Sequence, residues 1–180
     1  MNPTRRRFSR SLPALGALLL AARHGSVSAQ TSAAAMEAAA PDLPLLGSKL
    51  DLPEVALFDG KVFKPAHARG HLTVLYWWAS TCPFCAQQSP EMEKLWRTQQ
   101  GRGMRMLALS VDKNPALAMT YWQQRGYTFP SGWVTPDVHK VLPKPRGLPI
   151  TLVLGREGQV LQAERGQLFP EDVAQLASSL

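Results

Sequence analysis

The sequence predicts a mixed α/β fold: a central mixed β-sheet flanked by helices, with a β-hairpin extension at its N-terminal side. Three observations predict it. Apolar runs at 72–77, 104–111 and 150–154 have the length and the β-branched and aromatic content of buried strands. Amphipathic stretches with helix-start signals separate them. Two short hairpin patterns, each around a Gly-containing turn, stand at the front and near the end.

Taken in order, Val55-Ala56-Leu57-Phe58 and Lys61-Val62-Phe63 flank an Asp59-Gly60 turn, the pattern of a tight hairpin. Leu72 to Trp77 reads as a buried central strand. A helix follows from Cys82 to Gln100, with Thr81 as its N-cap. Pro90 lies inside it and is expected to kink it. Met104 to Val111 is the next strand. Asn114 as N-cap and Pro115 at the first helical position open a helix to about Arg125. Pro136 to Leu142 is a short helix, and Val141 to Gly147 a proline-rich strand. Ile150 to Leu154 and Gln159 to Glu164 form the second hairpin, and Pro170 to Ser179 the closing helix. The central strand–helix–strand implies a parallel pair with a right-handed crossover; the last hairpin implies an antiparallel edge. Trp77 points into the core, Trp78 flanks the site on the other face, and Tyr121-Trp122 packs a helix face.

The formal charge of +7 is misleading. The first 29 residues hold five Arg and no acid, so the rest has 15 Lys+Arg against 13 Asp+Glu, a balance of +2. No basic stripe interleaved with aromatics appears, which argues against a nucleic-acid partner. Thr4-Arg5-Arg6-Arg7-Phe8-Ser9-Arg10 is followed by an apolar run from Leu12 to Ala22 and by Val27-Ser28-Ala29, a small-residue cleavage pattern. Residues 1–29 therefore read as a bacterial export signal, with Gln30 the mature N-terminus. The 11-residue apolar run falls short of the roughly 20 residues that span a bilayer. No permanent membrane span is expected once the signal is cleaved; an uncleaved membrane tether is the alternative. Arg5-Arg6, Phe8 and Arg10 resemble a twin-arginine signal; an ordinary secretory signal with a basic start is the alternative. The expected location is the periplasm, an oxidising compartment. Residues 30–49 are an Ala/Pro-rich linker, a tether or poorly ordered mature N-terminus, and residues 50–180 the domain.

The chain has two cysteines, in Cys82-Pro83-Phe84-Cys85. A thiol in the first turn of a helix faces unpaired backbone N–H groups and the positive end of the helix dipole. Both favour thiolate, so Cys82 is expected to be acidic and reactive. Cys85 lies one turn on and can close a small disulfide ring. A purely structural disulfide or half of a zinc site are the alternatives. The loop is too short to stabilise folding much. No His pair at ligand spacing accompanies the cysteines; His67, His71 and His139 are scattered surface or strand-end residues. No phosphate-binding glycine loop, flavin motif or pair of catalytic carboxylates is evident. No cofactor is expected beyond the Cys82–Cys85 disulfide.

Trp78-Ala79-Ser80-Thr81-Cys82-Pro83-Phe84-Cys85 followed by Pro90 resembles the thioredoxin fold. Gly147-Leu148-Pro149-Ile150-Thr151 resembles its cis-proline loop, an ordinary trans turn being the alternative for Pro149. The leading hairpin and the strand–helix insert after Met104 resemble the exported TlpA/ResA-like branch, which includes reductants of cytochrome c maturation. The resemblance covers roughly residues 50–180. It implies that Cys82 is the attacking thiolate and Cys85 the resolving thiol. Pro149 would lie opposite the pair in a cis peptide, with the Leu148 backbone aimed at a partner that adds as a strand. Three residues depart from the pattern: Thr81 stands where Trp is usual, Gln88 where this branch carries Glu, and Tyr76 where cytosolic thioredoxins carry Asp. Position 88 is expected to be partly exposed beside the helix.

The resemblance implies a monomeric thiol–disulfide oxidoreductase acting on protein thiols and disulfides. The first reading is a reductant, recharged by a membrane electron donor and serving exported disulfides such as those of apocytochrome c. The second is a thiol oxidase that introduces disulfides. Phe84 offers no positive charge to stabilise a thiolate, which argues against a strong oxidase, yet Pro83-Phe84 also differs from strongly reducing thioredoxins. The third is a non-enzymatic Cu(I)-binding chaperone. Such thioredoxin-like proteins more often separate the cysteines by three residues and add a His.

Overall fold

Six consecutive buried residues, Thr73–Trp78, form strand β3 at the centre of a five-stranded sheet. The computed structural model describes residue 35 and residues 37–178. The export signal, its cleavage site and most of the first part of the linker lie outside the described residues. Ahead of β3 stand β1 (Val55–Ala56) and β2 (Val62–Phe63), paired antiparallel around the expected Asp59-Gly60 turn. Gly60 adopts φ 82°, the left-handed conformation that the turn requires. After β3 come α1 (Pro83–Gln99), β4 (Arg105–Ser110), α2 (Pro115–Gln124), β5 (Ser131–Trp133), α3 (Pro136–Val141), β6 (Ile150–Leu154), β7 (Val160–Arg165) and α4 (Pro170–Gln175). The sheet order is β5-β4-β3-β6-β7. β3 and β4 are parallel across the α1 crossover, whereas β6 runs antiparallel to β3 and to β7. This is the expected mixed sheet.

The period-2 alternation of β3 divides the core. Val74, Tyr76 and Trp78 share one cluster with Met92, Met106 and Phe129. Leu75 and Trp77 share another with Leu107, Leu109, Ile150 and Leu152.

Four expectations need correction. The edge strand β5 is absent from the sequence reading, since three residues around Gly132 carry no strand signal. Gly132 is explained by a close approach: a Cβ there would overlap the Ala56 carbonyl and the Val55 side chain. The β1–β2 hairpin rests on that point, with Phe58 N–H donating to Ser131 C=O at 2.8 Å. Second, α1 begins at Pro83, and its N-cap is Cys82, not Thr81. Cys82 is extended (φ −86°, ψ 114°) and its own Sγ accepts the Cys85 N–H, so the cap position is occupied one residue later. Thr81 is exposed just outside it. Third, no strand spans 141–147; Val141 ends α3, and an irregular proline-containing segment leads into β6. Fourth, the chain from residue 37 to residue 50 does not hang free. Gly47 N–H donates to Val160 C=O, Arg146 N–H donates to Pro41 C=O, and Leu43 and Leu50 pack on the core. No helix among the described residues is long and apolar enough to cross a membrane.

Candidate functional site

The site grows from the C-terminal end of β3. The chain leaves the sheet at Trp78, turns through Ala79–Cys82 with the Cys82 N–H donating to the Ala79 carbonyl at 3.1 Å, and enters α1 at Pro83. Proline at the first helical position has no N–H to leave unsatisfied there. Cys82 and Cys85 form a disulfide with Cα atoms 5.2 Å apart. Cys82 is half-buried and Cys85 is 1% exposed. The Cys85 N–H points at Cys82 Sγ, 3.2 Å away. A backbone donor at a helix start thus faces the more accessible sulfur, the arrangement that favours a thiolate.

Strand pairing brings the second motif alongside. Tyr76 pairs with Thr151 and Trp77 with Ile150, so the next step in register sets Pro149 beside Trp78. The Leu148–Pro149 peptide is cis. Leu148 is half-buried and, like Cys82, packs against the cluster containing Trp78 and Cys85. Trp78 is itself buried; its Nε1 donates to Ser131 Oγ at 3.1 Å and its ring lies 5.8 Å from that of Tyr121. Pro83 and Phe84 stand exposed beside the disulfide, Phe84 with 54% of its surface open.

Gln88 is not beside the helix in solvent. It is 1% exposed. Its position one turn beyond Cys85 turns it onto the sheet, where Nε2 donates to Thr151 Oγ1 at 3.0 Å and Oε1 accepts the Leu168 N–H at 2.8 Å. It therefore ties α1 both to β6, just after the cis peptide, and to the segment before α4. The Tyr76 hydroxyl donates to the Cys85 carbonyl at 3.4 Å and lies 3.0 Å from the Ser89 hydroxyl. Burial pushes the Tyr76 phenol far above its ordinary pKa, although Ser89 partly offsets this. Neither side chain is an ionisable base near neutral pH.

Sequence reasoning missed Asp112. It is 7% exposed, just past β4, and both carboxylate oxygens accept the Ser80 N–H, at 3.0 and 3.1 Å. The Ser80 and Ser110 hydroxyls also donate to it. Asp112 thus fastens the loop that ends in Cys82. The available signal is Ser110-Val111-Asp112: polar residues that close an apolar strand at the edge where α/β sheets gather their sites. Asp112→Asn would present an amide N–H to the Ser80 N–H. The expected result is a loss of about 1–3 kcal/mol of stability and faster alkylation of Cys85 as the loop loosens. A melting curve and a labelling time course check both. Unchanged values for both would show that the clamp does not hold the loop.

Glu93 is also buried, but it answers to the fold. Burial pushes its carboxyl up. Donation from the Thr128 hydroxyl, from Arg97 and from the Thr128 and Phe129 N–H groups overcomes this and holds it below the usual range. It sits 11 positions along α1 from Cys82, roughly 16 Å at the helical rise. Among the described residues, no cluster of three or more His, Cys, Asp or Glu is arranged to hold a metal ion.

Residues 37–163 match the AhpC/TSA family, and this span includes the disulfide, Gln88, Asp112 and Pro149. The thiol-disulfide oxidoreductase ResA of Geobacillus thermodenitrificans is 26% identical over 133 residues, covering 71% of this chain and 75% of that protein. The ResA of Halalkalibacterium halodurans is 22% identical over 119 residues, 64% of this chain; the match spans 65% of the relative's length. Among solved structures, a thiol:disulfide interchange protein of the thioredoxin family from Chlorobium tepidum superposes with a TM-score of 0.68 at 20% identity. That alignment covers 76% of this chain and 97% of the other. The chain belongs to the AhpC/TSA family and has the thioredoxin fold.

Proposed function

We propose that the chain is a thiol–disulfide oxidoreductase that uses Cys82 and Cys85, acts on protein disulfides outside the cytoplasm, and works as a reductant. One observation carries the reading: a half-buried sulfur at a helix start is bonded to a buried sulfur one turn on, beside a cis-proline loop. In the reduced protein, the Cys82 thiolate attacks one sulfur of a partner disulfide. An S–S bond forms between protein and partner, and the partner's other sulfur leaves as thiolate. Cys85 then loses its proton and attacks Cys82 Sγ. The mixed disulfide breaks, the second partner thiolate leaves, and the Cys82–Cys85 bond forms. Two electrons pass to the partner, and protons taken up by its thiolates complete the balance.

Leu148, next to the cis peptide, offers backbone for a partner that adds as a strand, and exposed Pro83 and Phe84 offer an apolar contact. Thr81 leaves this surface without the flat ring of a Trp. Because each turnover leaves Cys82 and Cys85 as a disulfide, each cycle needs a thiol donor; a membrane electron donor fits an exported protein. Apocytochrome c is a substrate of the right class. ResA relatives support the thiol–disulfide chemistry. The direct test is stoichiometry: reduced protein mixed with a peptide disulfide should lose two thiols per peptide disulfide opened. No thiol loss would sink the reading.

Export rests on residues 1–29. If the twin-arginine reading holds, Arg5→Lys with Arg6→Lys should stop translocation, whereas an ordinary secretory signal tolerates this charge-conserving change. Fractionation checks it, with Gln30 expected as the first residue of the exported form. Normal export of the variant would assign the other route.

A further inference from the structure

The segment leading into the cis peptide carries more positive charge than the disulfide chemistry needs. Lys144, Arg146 and Arg165 surround Gly147, two residues before Pro149. Gly147 has φ 94°, and a Cβ there would press on the Arg165 side chain, so the guanidinium stem lies directly over this turn. Arg165 also pairs with Ile150 across β6–β7, and Gly166 N–H donates to the Pro149 carbonyl at 2.9 Å. The three cations therefore border the cis-proline loop itself.

Among the described residues, their only ion-pair partners are Glu37 and Asp42. Glu37 lies 3.1 Å from Lys144 Nζ and accepts the Gly147 N–H; Asp42 lies 3.2 Å from Arg165 and 4.0 Å from Arg146. Burial pushes the Glu37 carboxyl up, but the Gly147 N–H, Lys144 and Arg146 outweigh it and hold the group below the ordinary range. The segment that carries these acids is exposed from Glu37 to Asp42 except at Ala40. The Asp42 pairs, exposed on both sides, contribute little each and are screened by salt. The basic side is built differently. Lys144 is largely buried, and its ammonium also donates to the Pro145 and Gly147 carbonyls, which keep it in place without Glu37.

We propose that Lys144, Arg146 and Arg165 form a docking surface for an acidic segment of the partner polypeptide, lying a few residues from the partner's disulfide. The chain's own Glu37 and Asp42 occupy this surface in the resting protein and are displaced on docking. The inference rests on the thiol–disulfide reading for its purpose, since it sets which disulfide-bearing partners are favoured. The recognition itself is carried by charge and geometry.

Two synthetic peptides with one internal disulfide test it, one flanked by Glu and the other by Gln at the same positions. Binding is measured by fluorescence anisotropy on a Cys82→Ser/Cys85→Ser chain, so that no exchange intervenes. Adding Glu37→Gln with Asp42→Asn should tighten the acidic peptide about three- to tenfold, the range expected for freeing the two exposed arginines and unpairing Lys144. The neutral peptide should stay within about twofold, and 0.5 M salt should erase the difference by screening. Arg146→Gln with Arg165→Gln in that background should abolish the preference. Equal binding of the two peptides after Glu37 and Asp42 are neutralised, or a preference that survives loss of both arginines, would overturn the proposal. A parallel exchange assay with cysteine-containing protein separates the two readings. An acidic preference in binding with no exchange toward either peptide would leave the surface standing and remove the oxidoreductase reading.

Discussion

Cys82→Ser reduces disulfide exchange to background, whereas Cys85→Ser accumulates mixed disulfides with partners through Cys82. No other substitution is expected to cost more activity. In the reduced protein Cys82 is alkylated first, with a pKa below the free value of about 8.5. The grounds are positional. Cys82 is the N-cap of α1, half-open to solvent, and its sulfur receives the Cys85 N–H. Cys85 is sealed beneath it, with its carbonyl accepting from Tyr76. Serine is a good N-cap, so Cys82→Ser preserves the helix start and isolates the chemistry from the fold. Timed alkylation with peptide mapping distinguishes the two thiols. Preferential labelling of Cys85 would reverse their roles.

Gln88→Glu is expected to add a titration between about pH 5 and 8 to the exchange rate, because burial raises a carboxyl above its free value of about 4.3. The buried position makes the effect larger than a surface substitution would give. Leu168 N–H and the Thr151 hydroxyl both donate readily to a carboxylate, so the site has a place for the charge. One turn from Cys85, that charge can accept a proton from the second thiol as it attacks. In the wild type, Gln88 cannot ionise and the Tyr76 phenol is held protonated, so the Cys85 proton leaves to water or to the departing partner thiolate. Proton linkage sets the sign of the stability change. With the folded pKa above the unfolded one, the variant matches the wild type best below about pH 4. It then loses about 1.4 kcal/mol for each pH unit between the unfolded and the folded pKa, and no more above the latter. Rate–pH profiles and melting curves of the two proteins check both claims. Superimposable profiles would show that position 88 does not couple to the thiols.

Local signals made much of this fold legible. Asp59-Gly60 sets a hairpin, Asn114-Pro115 opens a helix, and the apolar run Val74–Trp78 marks the central strand, because each pattern acts within a few residues. The Cys pair at a helix start belongs to this class; the cis peptide at Pro149 does not, for an X-Pro bond by itself leaves trans open and only the resemblance implies cis. The Ser80–Asp112 clamp joins residues 32 apart in sequence, and no periodicity reports it. Gln88 reads as an ordinary polar helix residue until β6 and the chain before α4 close over it. The sequence points to Thr81 as the cap of α1, and only the backbone angles assign it to Cys82. Gly132 looks like a breaker, yet the glycine is what lets the hairpin approach the edge strand.

The reduction potential of the Cys82/Cys85 couple decides whether the protein is a reductant. Equilibration against dithiol buffers of known potential, followed by thiol trapping, gives it. A reversible two-electron couple on the reducing side is expected, nearer the thioredoxin value of about −270 mV than the DsbA value of about −120 mV. A couple near −120 mV would make the protein an oxidase, and a bond that does not equilibrate would contradict the exchange mechanism itself.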